Sequence, residues 1–136
     1  MDCRLLFVYG TLRRGGSRHR ILKALGARFV GRGSVGGELF DLGEYPGARP
    51  TSSPRARVFG ELYELRNPQR ALKVLDRIEG YRPDDPAASL FRRDIATVRP
   101  EGGAEVDAWL YWLGRGTRFL RRIPSGDYID TTRRGS

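Results

Sequence analysis

Short apolar runs separated by turn residues dominate this chain, and long helical periods are scarce. Leu5 to Tyr9 is a continuous apolar stretch that reads as a buried first strand, followed by a basic, glycine-containing loop over 13–17 and a short helix near His19 to Leu25. Arg28 to Val30 and Glu38 to Asp41 read as two further strands. From Leu42 to Pro54 glycine, proline and serine accumulate around Tyr45-Pro46-Gly47, the composition of a loop with a tight turn. Val58 to Leu65 alternates apolar and polar residues as a half-buried strand does, and Asn67-Pro68 then opens a helix that runs to about Glu79, with Gly80 as its stop. Tyr81 to Ser89, with two prolines and two aspartates, reads as loop. Strands follow at Phe91 to Val98 and Val106 to Leu113, around the turn at 100–103. From about residue 115 the chain reads as an irregular basic tail.

About six strands and two helices, joined mainly by short turns, imply an α+β fold in which a small mixed sheet curls into a barrel-like form with flanking helices. Regular strand-helix alternation is missing, which disfavours a doubly wound nucleotide-binding sheet. No repeat or linker divides the 136 residues, so a single domain spanning 1–136 is expected.

Composition changes this picture little. The formal charge of +9 raises nucleic-acid binding as a question, but Lys23 and Lys73 are the only lysines, and arginine supplies the rest of the 25 basic residues from Arg4 to Arg134. A nucleic-acid footprint gathers on one face, and this scatter does not, so no specific nucleic-acid partner is expected. No apolar run approaches the roughly 20 residues of a membrane helix, and no export signal is evident, so a soluble cytoplasmic protein without a membrane partner is expected. One cysteine, Cys3, and one histidine, His19, exclude an intramolecular disulfide and a zinc site of the usual ligands. The oligomeric state is not legible.

Gly31, Gly33 and Gly36 have the G-x-G-x-x-G spacing, yet Gly37 to Asp41 reads as a strand and not a helix, so a hairpin is expected there in place of a dinucleotide site. His19 lies between Arg18 and Arg20, a poor setting for a catalytic base, and reads as a surface residue. Cys3 reads as an ordinary N-terminal residue.

Glu79 stands out. At 100° per residue, Ala71, Leu72, Val74, Leu75 and Ile78 share one arc of the second helix, while Lys73, Asp76 and Arg77 fall opposite. Glu79 projects between Leu72 and Leu75. A carboxylate there loses hydration and faces the negative end of the helix dipole, and both effects raise its pKa toward the range of a general acid-base. Pairing with one of the many arginines is the alternative. A second candidate is Tyr9-Gly10-Thr11-Leu12 at the end of the first strand, where glycine permits close approach to a ligand and the adjoining backbone N–H groups can receive an anion.

Tyr9-Gly10-Thr11-Leu12, Tyr45-Pro46-Gly47 and Leu75-Asp76-Arg77-Ile78-Glu79-Gly80-Tyr81, in this order and spacing, resemble the gamma-glutamyl cyclotransferase-like superfamily. Phe91-Arg92, Ala108-Trp109-Leu110-Tyr111 and Ser125-Gly126-Asp127-Tyr128 extend the likeness over nearly the whole chain. The resemblance implies a small mixed barrel, no cofactor or metal, and a small-molecule γ-glutamyl substrate. It also implies intramolecular attack of the substrate α-amine on its own γ-carbonyl, giving 5-oxoproline and a released amine or amino acid. Glu79 would be the acid-base, Gly10 to Leu12 the anion-binding loop, and Tyr9, Tyr111 and Tyr128 pocket residues. A non-catalytic binding member of the same fold is the alternative. Arg13, Arg14 and Arg92 are candidates for contacting an anionic leaving portion.

Overall fold

The computed structural model describes residues 3–128. Among them, five strands close a barrel in the order β1 (Leu5–Val8), β5 (Arg57–Glu64), β2 (Arg28–Gly36), β6 (Phe91–Pro100) and β7 (Val106–Leu113). Neighbours pair antiparallel except at the closing seam, where β1 runs parallel to β7 with Leu6 opposite Trp109. A smaller sheet, ordered β4 (Pro46–Arg49), β3 (Glu38–Asp41), β8 (Arg121–Ile123), joins the barrel wall. Helices α1 (His19–Ala24) and α2 (Pro68–Ile78) flank it.

The period of two explains why β1 is apolar throughout. Leu6 and Val8 point into a cluster with Leu22, Leu72 and Leu75 of the helices, while Phe7 and Tyr9 join Val35, Val58, Leu62 and Leu110. Both faces are buried, so neither tolerates a polar residue.

The end of β1 crosses β5 very closely. A methyl group added at Gly60 would overlap the Val8 carbonyl oxygen and press on the Phe7 ring. Gly60→Ala is therefore expected to destabilise the barrel by about 2–3 kcal/mol, the range of overpacking against backbone that cannot retreat. A urea titration checks this, and an unchanged midpoint contradicts it.

Three sequence expectations need correction. The Leu42 to Pro54 segment is not all loop: after a turn around Gly43, whose N–H donates to Asp41 Oδ1 at 2.7 Å, Pro46–Arg49 forms β4, and irregular chain resumes at Pro50. Pro46 is tolerated because β4 pairs only with β3 in its sheet and lies at its edge. Gly31, Gly33 and Gly36 form no hairpin turn; they lie within β2, where Gly33 lets the Arg99 carbonyl and Val98 of β6 approach. The segment after 114 contributes β8, which is too short and too basic to announce itself.

Candidate active site

Helix α2 sets the position of Glu79. Its start is capped by Asn67, whose side-chain oxygen accepts from Arg70 N–H at 3.3 Å. At its end Tyr81 N–H donates to Asp76 O at 2.8 Å and Gly80 N–H to Arg77 O at 3.4 Å, the paired bonds of a Schellman turn. That turn needs a left-handed residue, and Gly80 takes it with φ of 68°. Glu79 thus becomes the C-cap and faces a cleft of about 120 Å³.

Tyr9, Gly10, Thr11, Leu12, Glu79 and Tyr111 line this one cleft, together with Arg18, Tyr45, Pro46, Ile78, Leu90 and Phe91. Tyr128 is not among the lining residues. It packs with the Phe7 cluster, and its hydroxyl lies 3.5 Å from Glu44 O, one residue before the cleft-lining Tyr45.

The Tyr9 to Leu12 turn is held from behind. Arg13 N–H donates to Gly10 O (3.0 Å), Arg18 N–H to Thr11 O (2.9 Å), and the His19 ring Nδ1 lies 2.9 Å from Leu12 O. Glu61, buried beneath the loop, accepts from Arg14 N–H at 2.9 Å and from the Tyr63 hydroxyl at 3.0 Å. In a planar trans peptide the N–H points opposite to the preceding carbonyl. With the Gly10 and Thr11 carbonyls engaged inside the loop, the N–H groups of Thr11 and Leu12 face the other way, and neither has a protein acceptor among the described residues. His19 is accordingly a half-buried strut of this loop and not a free surface residue.

Glu79 has no hydrogen-bond or ion-pair partner among the described residues, so the arginine-paired alternative is not what the fold builds. Burial pushes its carboxyl pKa up to about 7, with Arg18 pulling in the opposite direction.

Tyr9 and Tyr111 contribute their rings to the cleft, because their hydroxyls are committed. Tyr9 O–H donates to Tyr111 O at 2.6 Å and accepts from Ala48 N–H at 3.1 Å, tying β1 to β7 and β4. Tyr111 O–H donates to Asp76 Oδ1 at 2.6 Å, and the same carboxylate receives Arg93 Nε at 2.8 Å and Arg93 Nη2 at 3.2 Å. Burial raises both phenol pKa values, so both stay neutral hydrogen-bond donors.

Asp76 therefore reverses the helical projection: it is 8% exposed, whereas Val74, expected inside, is 36% exposed. Partners on the barrel decide this, since Arg93, stacked on Trp109 at 4.5 Å, and Tyr111 meet the carboxylate where a hydrophobic residue would have met only the wall. Arg13, Arg14 and Arg92 do not reach the cleft. Arg13 is buried against Asp127 at 2.9 Å, Arg14 covers the Phe29 ring at 3.7 Å, and Arg92 is exposed on β6. Sequence reasoning missed Arg18, which carries no signal beyond lying seven residues after Thr11 in a chain full of arginine. Among the described residues, no group of three or more His, Cys, Asp or Glu side chains is placed to hold a metal ion, and no helix is long and apolar enough to cross a membrane.

Known proteins share this sequence pattern and this fold. Residues 6–130 match the family model described as gamma-glutamyl cyclotransferase, AIG2-like. The gamma-L-glutamyl-butirosin B gamma-glutamyl cyclotransferase of Niallia circulans is 36% identical over 128 residues, covering 93% of this chain and 70% of that protein. The gamma-glutamylcyclotransferase family protein YtfP of Escherichia coli is 33% identical over 127 residues, covering 92% and 96%. The crystal structure of an AIG2-like protein from Mus musculus superposes with a TM-score of 0.70 at 26% identity, covering 94% of this chain and 95% of that one.

Proposed function

This chain belongs to the AIG2-like gamma-glutamyl cyclotransferase family, and on that footing we propose that it converts a γ-glutamyl compound into 5-oxoproline and a free amine or amino acid. The observation that supports this reading is an unpaired carboxylate with a pKa near neutrality, across one small cleft from the unengaged N–H groups of Thr11 and Leu12.

In the proposed reaction the Glu79 carboxylate takes a proton from the substrate α-ammonium, and the freed nitrogen attacks the γ-carbonyl carbon. The N–H groups of Thr11 and Leu12 receive the oxyanion that forms. Glu79 returns its proton to the leaving nitrogen as the amide C–N bond breaks; the second proton lost by the ring nitrogen leaves through the same carboxylate to solvent. Water is not a reactant. Amine and carbonyl belong to one molecule, so holding them in the attacking pose supplies much of the rate.

The test is mass-spectrometric detection of 5-oxoproline after incubation with γ-glutamyl amino acids, γ-glutamyl-ε-lysine, γ-glutamylamines and glutathione. The Niallia circulans relative, a gamma-L-glutamyl-butirosin B gamma-glutamyl cyclotransferase, adds gamma-L-glutamyl-butirosin B to that panel. Product from any class supports the reading; silence across the panel with an intact fold and retained ligand binding would favour a binding role.

Glu79 must start ionised, so kcat/KM is expected to rise with pH through an inflection near 7 and to level above it. A profile flat from pH 5 to 8 would contradict Glu79 as the base.

A further inference from the structure

We infer that Arg18 sets the specificity of this cleft by receiving the α-carboxylate of the substrate, leaving the N–H groups of Thr11 and Leu12 to the oxyanion. This rests on the cyclotransferase reading above and assigns a division of labour within it.

A γ-glutamyl group presents two opposite charges on one carbon, an ammonium and a carboxylate. The cleft answers with two ionisable groups of opposite sign, Glu79 and Arg18; its other lining residues are apolar, tyrosine, threonine or glycine. Because the substrate charges share a carbon, the groups that receive them must face one small space. Arg18 meets that condition: it lines the same cleft, its charge acts on Glu79, and yet the two form no ion pair among the described residues. A gap between unpaired opposite charges suits a zwitterion.

The position of Arg18 is built, although its side chain is not pinned. Its N–H is bonded to Thr11 O and its carbonyl accepts from Ile21 N–H, which fixes the backbone just before α1 while the guanidinium has no hydrogen-bond or ion-pair partner among the described residues. A planar guanidinium binds a carboxylate through two parallel hydrogen bonds, whereas an amide N–H offers one. The neighbouring arginines do not line the cleft: Arg20 donates to Ser17 O at 3.3 Å, Arg13 is committed to Asp127 and Arg14 to the face of Phe29. If Arg18 takes the carboxylate, the Thr11 and Leu12 N–H groups keep their capacity for the charge that appears only in the transition state, where it accelerates the reaction most.

The test uses 5-oxoproline, which retains the α-carboxylate and is common to every substrate in the class, beside its neutral analogue 5-oxoprolinamide. Binding of each is followed by NMR titration of the wild type, Arg18→Ala and Arg18→Lys. Arg18→Ala is expected to weaken 5-oxoproline about 10- to 100-fold, the scale of a lost charge-assisted contact, and to leave 5-oxoprolinamide within about 2-fold. Arg18→Lys should recover part of the loss, because it keeps the charge without the fork. Equal weakening of both ligands, no weakening, or no binding of 5-oxoproline by the wild type would overturn the assignment. Turnover of the γ-glutamyl panel, measured on the same proteins, separates the two claims. Carboxylate-dependent binding through Arg18 without turnover would sink the reaction and keep this assignment; turnover with equal losses would do the reverse. Unchanged melting temperatures would show that both variants fold.

Discussion

Glu79→Gln is expected to lower 5-oxoproline formation by about 10²- to 10⁴-fold, the usual contribution of a positioned acid-base group, while leaving ligand binding largely intact. Glutamine keeps the shape and the polarity of the side chain but can neither take a proton from the α-ammonium nor return one. The same substitution should stabilise the protein at alkaline pH. With its pKa raised from 4.5 to about 7, the folded protein holds a proton on Glu79 that the unfolded chain has already released, so stability declines as pH climbs between those values. Above pH 7 the folded state carries a half-buried charge that costs about 2–3 kcal/mol once partial exposure is allowed for. Denaturation of the two proteins at pH 5 and pH 8 checks this: the advantage of the glutamine variant should grow between them. A variant that lost activity and also lost stability at pH 8 would mark Glu79 as a structural residue.

Asp76→Ala should have the largest effect on stability. The carboxylate holds two barrel strands to α2 through Tyr111 on β7 and Arg93 on β6, and its removal strands a half-buried guanidinium and a buried hydroxyl together. Breaking one side of such a pair typically costs about 3–5 kcal/mol, which for a domain of this size is a fall of roughly 10–20 °C in melting temperature. Activity should fall as well, measured below the new melting point, because Asp76 lies about one helical turn before Glu79 and fixes the end of α2 on which that residue sits. Replacing Asp76 and Arg93 together by apolar residues should recover much of the stability but not the activity, since it removes the orphaned charge without restoring the anchor. If the double variant recovered both, the network would be dispensable to the site.

The elements that a local pattern can specify were legible in the sequence. Asn67-Pro68 marks a cap and Gly80 a stop, so α2 was bounded within a residue, while the alternation in β5 and the turn between β6 and β7 announced three barrel strands. Glu79 was legible for a related reason: a charge on an apolar stripe contradicts the pattern around it. What stayed hidden depends on partners far along the chain. Asp76 looks solvent-facing in projection because nothing local says that Arg93 and Tyr111 will meet it. Arg18 resembles every other arginine until the fold shows which of them borders a cleft. Gly31 to Gly36 mimics a phosphate loop and is instead a strand in which Gly33 admits a neighbouring backbone, a demand set by β6 some 65 residues later.

The parallel seam between β1 and β7 bears on how the molecule is made. It joins the first strand to one that ends at Leu113, so among the described strands the pairing of highest sequence separation is also the one that closes the barrel. Tyr9 and Tyr111, on the two sides of that seam, are both walls of the cleft. A nascent chain lacking β7 can form α2 and the β2 and β5 pairing, but its cleft lacks the Tyr111 wall and one edge of β1 is left unpaired. Closure of so distant a pair is entropically slow, and catalytic competence should therefore arrive late and all at once, with completion of the barrel.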